Sequence, residues 1–456
     1  MQSIGTPEQL RNPNWTPPLP QAIPLGIQHI LAMFVSNVTP AIIVAGAAGF
    51  GFGSNSPDFP SLIYMIQMSM LFAGVATLLQ TIGMGPIGAR LPIVQGTSFA
   101  FVPIMVPLVA GKGVDAMAAL MCGVLVGGLI HTALAPFVGR IRFALPPLVT
   151  GLIIVMIGLY LIQVGVKYAA GGAADFQMAA PEFGGALNWS IAGLVIVVTY
   201  LLKFFTRGII SMAAVLLGLI VGYIVAVMLG MVNFGNIGRA SWFALPNPFV
   251  FGFEFSVAAI VGFGFMSLVS AVETVGDVSG IAKGGAGREA TDEEVRGATY
   301  ADGVGSAVAG IFGGLPNTSF SQNVGLVAMT GVMSRHVATI GAVFLIVCGL
   351  IPKVGAAIST VPIEVLGGGV IVMFGMVASA GVNMLSDVNW NRRNMMIFAI
   401  SLSIGLGLQM VPQAVQYLPG TMKVLMTSGL LPAAFLAIVL NLVLPKEEGE
   451  RASAMA

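Results

Sequence analysis

Charge is scarce in this chain. Only 8% of its 456 residues are Asp, Glu, Lys or Arg, where a soluble domain carries about 25%. With 57% hydrophobic residues and a mean hydropathy of +0.95, that scarcity excludes a soluble globule. Cysteine is scarcer still, since the two present, Cys122 and Cys348, both sit in apolar runs and so read as small buried hydrophobes. They exclude a disulfide framework and a thiolate metal site. A formal net charge of +1 leaves no polybasic footprint for nucleic acid. No HExxH, GxSxG or comparable constellation is present, so no catalytic residue, metal or cofactor is expected and the chain does not read as an enzyme. An outer-membrane barrel is excluded too, because the apolar runs are long and do not alternate.

What is there is helix for lipid. At about 20 apolar residues per crossing, shortened where Gly and Pro interrupt, the spacing predicts spans at 23–44, 60–84, 93–108, 114–137, 146–164, 187–204, 208–230, 256–281, 297–313, 318–333, 336–351, 360–379, 393–411 and 424–444. The fold class is an all-α polytopic membrane protein of fourteen spans. Lys and Arg prefer cytoplasmic loops, and with the N-terminus inside, all but Lys112, Lys167, Arg239, Lys353 and Lys423 of the 19 basic residues fall on the cytoplasmic side. Both termini are then cytoplasmic. The start, MQSIGTPEQLRNPNWTPPLP, lacks the basic-then-apolar order of a signal peptide and reads as a flexible tail.

The chain repeats itself. LPIVQGTSFA (Leu91 to Ala100) and LPNTSFSQNVG (Leu315 to Gly325) both place Pro, small residues and hydroxyls where a membrane helix would carry Leu, Ile or Val. Further on, Pro136, Gly139, Pro146 and Gly151 recur at the same spacing as Pro352, Gly355, Pro362 and Gly367. Seven spans per repeat turn the second copy upside down, and broken spans at matching positions of two inverted halves point to a transporter binding site at mid-membrane, here in spans three and ten.

Ionisable groups inside a membrane cost about 2.5–3.5 kcal/mol each at a helix centre, so the few present are candidates for function. Glu273 and Asp277 lie four apart, on one face of the eighth span. Glu273 reads as a substrate acceptor, and Asp277 either as a second contact or as a carboxylate that holds the site together. Asp302, in the ninth span, reads equally as a proton carrier or as a cross-link between spans. His29 on the first span reads as a packing residue or a ligand, whereas His131 and His336 read as structural. Extended stretches at Thr97-Ser98-Phe99 and Ser319-Phe320-Ser321 leave backbone N–H groups free beside the positive ends of the half-helices that follow. Gln322 can donate and accept at once. A small flat molecule with alternating N–H and C=O groups, such as an oxidised purine or a pyrimidine, meets these demands.

At QNVGLVAMTG (Gln322 to Gly331) the chain resembles the signature of the nucleobase-ascorbate transporter family. The resemblance extends to IQHILAMF, QGTSFA, AVETVGD, ADGVGS and LGGGVIVMFGM, and it is nearest to the bacterial xanthine and uric acid permeases. It implies cytoplasmic tails at 1–22 and 446–456, a core domain at 23–144 (spans one to four) and 251–358 (spans eight to eleven), and a gate domain at 145–250 (spans five to seven) and 359–445 (spans twelve to fourteen). It implies a homodimer formed through the gates, in the bacterial inner membrane. Carried over by motif, Glu273, Gln322, Phe99, Ser98 and Ser321 would bind a purine, while Asp302, Asp277, Asn323, His29 and Thr330 would support proton coupling or site geometry. The proton is the implied coupling ion. Gln at 322 favours a purine over uracil, and Val324 with Asp277 leaves xanthine and uric acid unseparated. The runner-up is a sulfate or bicarbonate-type anion carrier of the same architecture, which would not place a carboxylate such as Glu273 against its substrate.

Overall fold

A helix satisfies every interior N–H and C=O within itself, so apolar residues at this density become helices in lipid. The computed structural model describes residues 5–50, 58–141, 146–172 and 180–445 and follows that rule. The first half runs α1 (Pro7–Arg11), α2 (Leu19–Ala48), α3 (Phe59–Ile82), β1 (Gln95–Thr97), α4 (Val102–Val109), α5 (Ala116–Leu134), α6 (Pro147–Ala169), α7 (Ala186–Phe205) and α8 (Ala214–Met228). The second runs α9 (Val257–Ile281), α10 (Asp292–Ile311), β2 (Asn317–Ser319), α11 (Ser321–Thr330), α12 (Arg335–Gly349), α13 (Pro352–Ser359), α14 (Ile363–Leu385), α15 (Arg392–Met410), α16 (Gly420–Thr427) and α17 (Leu430–Val443). Short extra turns at Val138–Ile141, Ile209–Met212 and Gly235–Arg239 join some of them.

The chain is a multi-pass membrane protein. Among the described residues seven helices are long and apolar enough to cross a bilayer, or nine if α12 with α13 and α16 with α17 each form one span. The other expected crossings are helical in place but shorter, broken or more polar. Both broken pairs bend by 81°. In the first, Pro352 opens α13 after an extended Ile351, as a residue without an N–H must at a helix start. The second lies inside the stretch expected to be one unbroken span at 424–444. There Gly429 takes a φ of 66°, a left-handed conformation open to glycine at little cost.

The N-terminal segment expected to be a flexible tail is docked from residue 5 onward. A capping box between Thr6 and Gln9 starts α1. The carbonyls of Leu10 and Pro13 accept from the Met333 and Arg335 N–H groups at 2.8 and 3.0 Å, and Trp15 O accepts from Ser334 Oγ at 2.6 Å. The Met333 N–H and the first N–H of α12, at Arg335, have no partner within a helix, and the segment supplies one to each. The expected C-terminal tail at 446–456 lies outside the described residues.

Packing follows two groupings. In one, α5 lies on α10 and α9, and α12 on α3 and α2; in the other, α6 lies along α14, and α7 against α8 and α14. The α6–α14 seam is made by glycine. A Cβ at Gly151 would approach the Leu385 side chain at 2.8 Å, at Gly158 the Ala378 nitrogen at 2.6 Å, and at Gly165 the Ile371 side chain at 2.9 Å. Rising numbers on one helix meet falling numbers on the other, so the pair is antiparallel. Gly367 is the tightest point, its added Cβ falling 2.1 Å from the Ala169 nitrogen. Small residues let membrane helices approach this closely. Gly367→Val should therefore force the seam apart at a cost of about 1–3 kcal/mol, seen as a lower midpoint of heat-induced aggregation in detergent; an unchanged midpoint would show that the seam carries no stability.

Candidate substrate site

The two interrupted stretches meet. β1 and β2 pair antiparallel, with Gln95 opposite Ser319, Gly96 opposite Thr318 and Thr97 opposite Asn317, and all six residues are buried. Pairing continues past the strands, where Ser98 N donates to Pro316 O at 2.8 Å and Phe320 N to Val94 O at 3.1 Å. A two-stranded sheet leaves two edges, and in a membrane no water can satisfy them. Side chains from the surrounding helices do so instead. On the β1 edge, Gln95 N donates to Thr77 Oγ1 and Thr97 N to Asn37 Oδ1, both at 2.9 Å. On the β2 edge, Asn317 N donates to Ser306 Oγ at 2.8 Å.

Asp302 belongs to this frame. Its carboxylate accepts from Gln80 Nε2 at 2.9 Å and also from Gln95 Nε2 and Thr274 Oγ1, and it is fully buried. Neutral donors from α3, β1 and α9 thus converge on one anion, and no cation is needed. Asn323 and His29 form a second brace. Asn323 Oδ1 accepts from Val94 N at 3.0 Å, which turns its Nδ2 toward His29 Nδ1 at 2.6 Å. An amide nitrogen only donates, so His29 must accept there and carries its proton on Nε2. Both brace residues are buried.

Beside the sheet lies a cavity of about 1730 Å³. Glu273, Asp277, Ser321, Gln322 and Phe99 all line it. Glu273 has no hydrogen-bond partner among the described residues. Asp277 Oδ1 accepts from Ser321 Oγ at 2.8 Å, while its buried Oδ2 has no partner among the described residues. Phe99 is held edge-on by Phe374 at a centroid distance of 5.0 Å, one ring face of a slot. Phe320, the residue before α11, gives that helix no side-chain cap, so the first N–H groups of the helix abut the cavity without an intrahelical acceptor. Ser98, Asp302, Asn323, His29 and Thr330 do not line the cavity. Ser98 Oγ is buried without a partner among the described residues, and Thr330 Oγ1 donates to Leu326 O at 2.9 Å at the far end of α11.

This geometry can be set against known proteins. The chain matches the model of the Permease family over residues 20–414. It belongs to that family. The permease is 37% identical over 426 residues to the Clostridium perfringens protein "Putative purine permease CPE0397", covering 93% of this chain and 91% of that one. It is 34% identical to the uric acid transporter UacT of Escherichia coli, over 91% of this chain and 84% of the relative. Against the xanthine permease XanQ of Escherichia coli it is 33% identical, over 94% and 92%. Among solved structures, the transmembrane domain of the cyanobacterial bicarbonate transporter BicA superposes with a TM-score of 0.55 over 92% of this chain and 97% of that one, at 13% identity. At that identity the likeness is one of fold.

Much of the permease's site frame is uncharged and so carries no ionisable signal in the sequence. Ser36, Asn37, Thr77, Gln80 and Gln95 are all buried polar residues. Gln95 lies inside the interrupted LPIVQGTSFA stretch, which was the available signal. Ser36 and Asn37 were signalled only by Pro40, which has no N–H to return to the Ser36 carbonyl and so loosens α2 beside them.

Proposed function

We propose that this permease imports an oxidised purine nucleobase, xanthine or uric acid, across the bacterial inner membrane by proton symport. One observation carries the reading: Glu273, a carboxylate with no hydrogen-bond donor among the described residues, faces the same cavity as the Gln322 amide and the uncapped start of α11. An acceptor-only group, a group of both kinds and free backbone donors suit the N–H and C=O groups of a flat heterocycle. The curated relatives that carry xanthine and uric acid support it. The anion-carrier reading shares the fold of the bicarbonate transporter, but Glu273 and Asp277 line this cavity, and acceptor-only carboxylates suit ring N–H donors, which sulfate lacks.

The cavity reaches the surface at Lys203, Asp387 and Asn389, which are exposed. By the distribution of basic residues that end is cytoplasmic, so the conformation is inward-facing. Toward the opposite end, Ile42, Tyr160, Tyr168 and Phe374 are buried together, with Tyr168 Oη donating to Ile42 O at 3.3 Å. In the cycle we infer, the grouping that contains α2, α9 and α11 moves as a core against the gate helices α6 and α14. The antiparallel pairing of β1 with β2, and of α6 with α14, agrees with an inverted seven-plus-seven repeat of fourteen spans. Both termini are cytoplasmic, and two copies associate through the gates.

Asp277 is the proton carrier in this scheme. Its buried Oδ2 has no hydrogen-bond partner among the described residues, a costly state for an ionised carboxylate at membrane depth, so it takes a proton from outside before the core closes and gives it up inside with the purine, and the empty core returns without it. Asp302, saturated by donors and outside the cavity, keeps the sheet in place. Uptake of radiolabelled xanthine into cells expressing the protein is expected to collapse on addition of a proton uncoupler and to ignore Na⁺. Unlabelled uric acid and xanthine should compete, hypoxanthine, guanine and uracil more weakly, and sulfate not at all. Sulfate competition would return the assignment to the anion class, and uncoupler-resistant, Na⁺-driven uptake would overturn the coupling.

A further inference from the structure

Two residues without a role in the reading above decide which way the Gln322 amide points. Ser36 and Met373 both line the cavity, Ser36 on α2 and Met373 on α14. Ser36 Oγ lies 3.1 Å from Met373 Sδ and 3.5 Å from Gln322 Nε2. A serine hydroxyl has one proton, and a thioether has none to give. If Ser36 spends its proton on Met373, it faces Gln322 as an acceptor only, and Gln322 must present Nε2 to it. Its Oε1, which has no partner among the described residues, is then left for the ligand.

We propose that Met373 and Ser36 are specificity-determining positioning residues that hold Gln322 with its carbonyl toward the ligand. The consequence is chemical. Glu273 is an acceptor when ionised, and with the amide so fixed Gln322 is a second one, so the site selects heterocycles offering ring N–H groups to both and disfavours analogues with a bare ring nitrogen at either point. Replacing Met373 by leucine keeps the volume and removes the sulfur acceptor. The Ser36 hydroxyl is then free to rotate and donate to Gln322 Oε1, which turns the NH₂ group toward the ligand and reverses the preference. The inference rests on the purine reading above.

The test uses the full-length protein in cells, with uptake of radiolabelled xanthine and competition by hypoxanthine, which has a bare N3 where xanthine has N3–H. Wild type is expected to prefer xanthine by about tenfold, the discrimination one neutral hydrogen bond supports. Met373→Leu and Ser36→Ala should each narrow that ratio at least about fivefold, while Ser36→Thr, which retains the hydroxyl, should restore it. The maximal rate at saturating xanthine should change less than the ratio does. Variants that transport with the wild-type ratio overturn the proposal. Should one variant fail to reach the membrane, the ratio in the other and in Ser36→Thr decides. Failure of the wild type itself to take up xanthine would strike the purine reading, not this relay, and the two failures are thereby distinguishable.

Discussion

Glu273→Gln is expected to abolish high-affinity xanthine uptake while the protein inserts and folds as the wild type does. The substitution keeps shape and volume. Because Glu273 has no hydrogen-bond partner among the described residues, no internal bond is broken, and removing a lone carboxylate from the membrane interior relieves a cost. What changes is the face offered to the ligand. A carboxylate accepts from two N–H groups, whereas a glutamine can turn an NH₂ against one of them. Loss of charge-assisted hydrogen bonding is worth about 1.5–3 kcal/mol, hence roughly a 10–150-fold rise in KM. Measured together, uptake kinetics, membrane abundance and thermal midpoint should show the first altered and the other two intact. Wild-type kinetics from this variant would remove Glu273 from the site.

Asp302→Asn should do the opposite. Here the carboxylate receives Gln80, Gln95 and Thr274. An asparagine can keep its oxygen on the two glutamine amides and turn its NH₂ to the Thr274 hydroxyl, which then donates to Ser270 O, so what is lost is the charge that strengthens these bonds. Each loss at the anion weakens the frame that holds β1 to β2. The expected cost is about 1–3 kcal/mol, the difference between hydrogen bonds to a charged and to a neutral acceptor. Protein should be recovered in lower amount with a clearly lower thermal midpoint, and what survives should transport poorly. An Asp302→Asn protein as heat-stable as wild type but dead for uptake would instead make Asp302 the proton carrier.

The contrast between these two carboxylates was not legible in the chain. Both stand in apolar helices, and the cost of burial alone marks each as special without saying how. Glu273 was separable as a substrate acceptor only through its proximity to the interrupted stretches, and Asp302 stayed divided between proton handling and cross-linking. Distance decides such cases. Gln80 and Gln95 lie 222 and 207 positions from Asp302 in sequence, and no periodicity links them. The same holds for the N-terminal segment. Its proline-rich polarity reads as a tail, and only the Met333 and Arg335 N–H groups, several hundred residues away, give it a place to bind. Likewise the break at Gly429 looks in sequence like one more tolerated glycine in an apolar run, and its positive φ is what turns one expected span into a bent pair.

By itself the amino-acid order determined the solvent, the helical class, the two interrupted stretches and the family, because each depends on composition, local spacing or contiguous motif. Hydrophobic residues in unbroken runs of span length leave the backbone few options in lipid. Tertiary structure alone decided that the stretches pair edge to edge, that neutral side chains rather than charges seal that sheet, and that Glu273 faces an open cavity while Asp302 is enclosed. Those are outcomes of long-range packing, in which a hydrogen-bond partner is chosen by where two helices cross and not by what stands beside it in the chain.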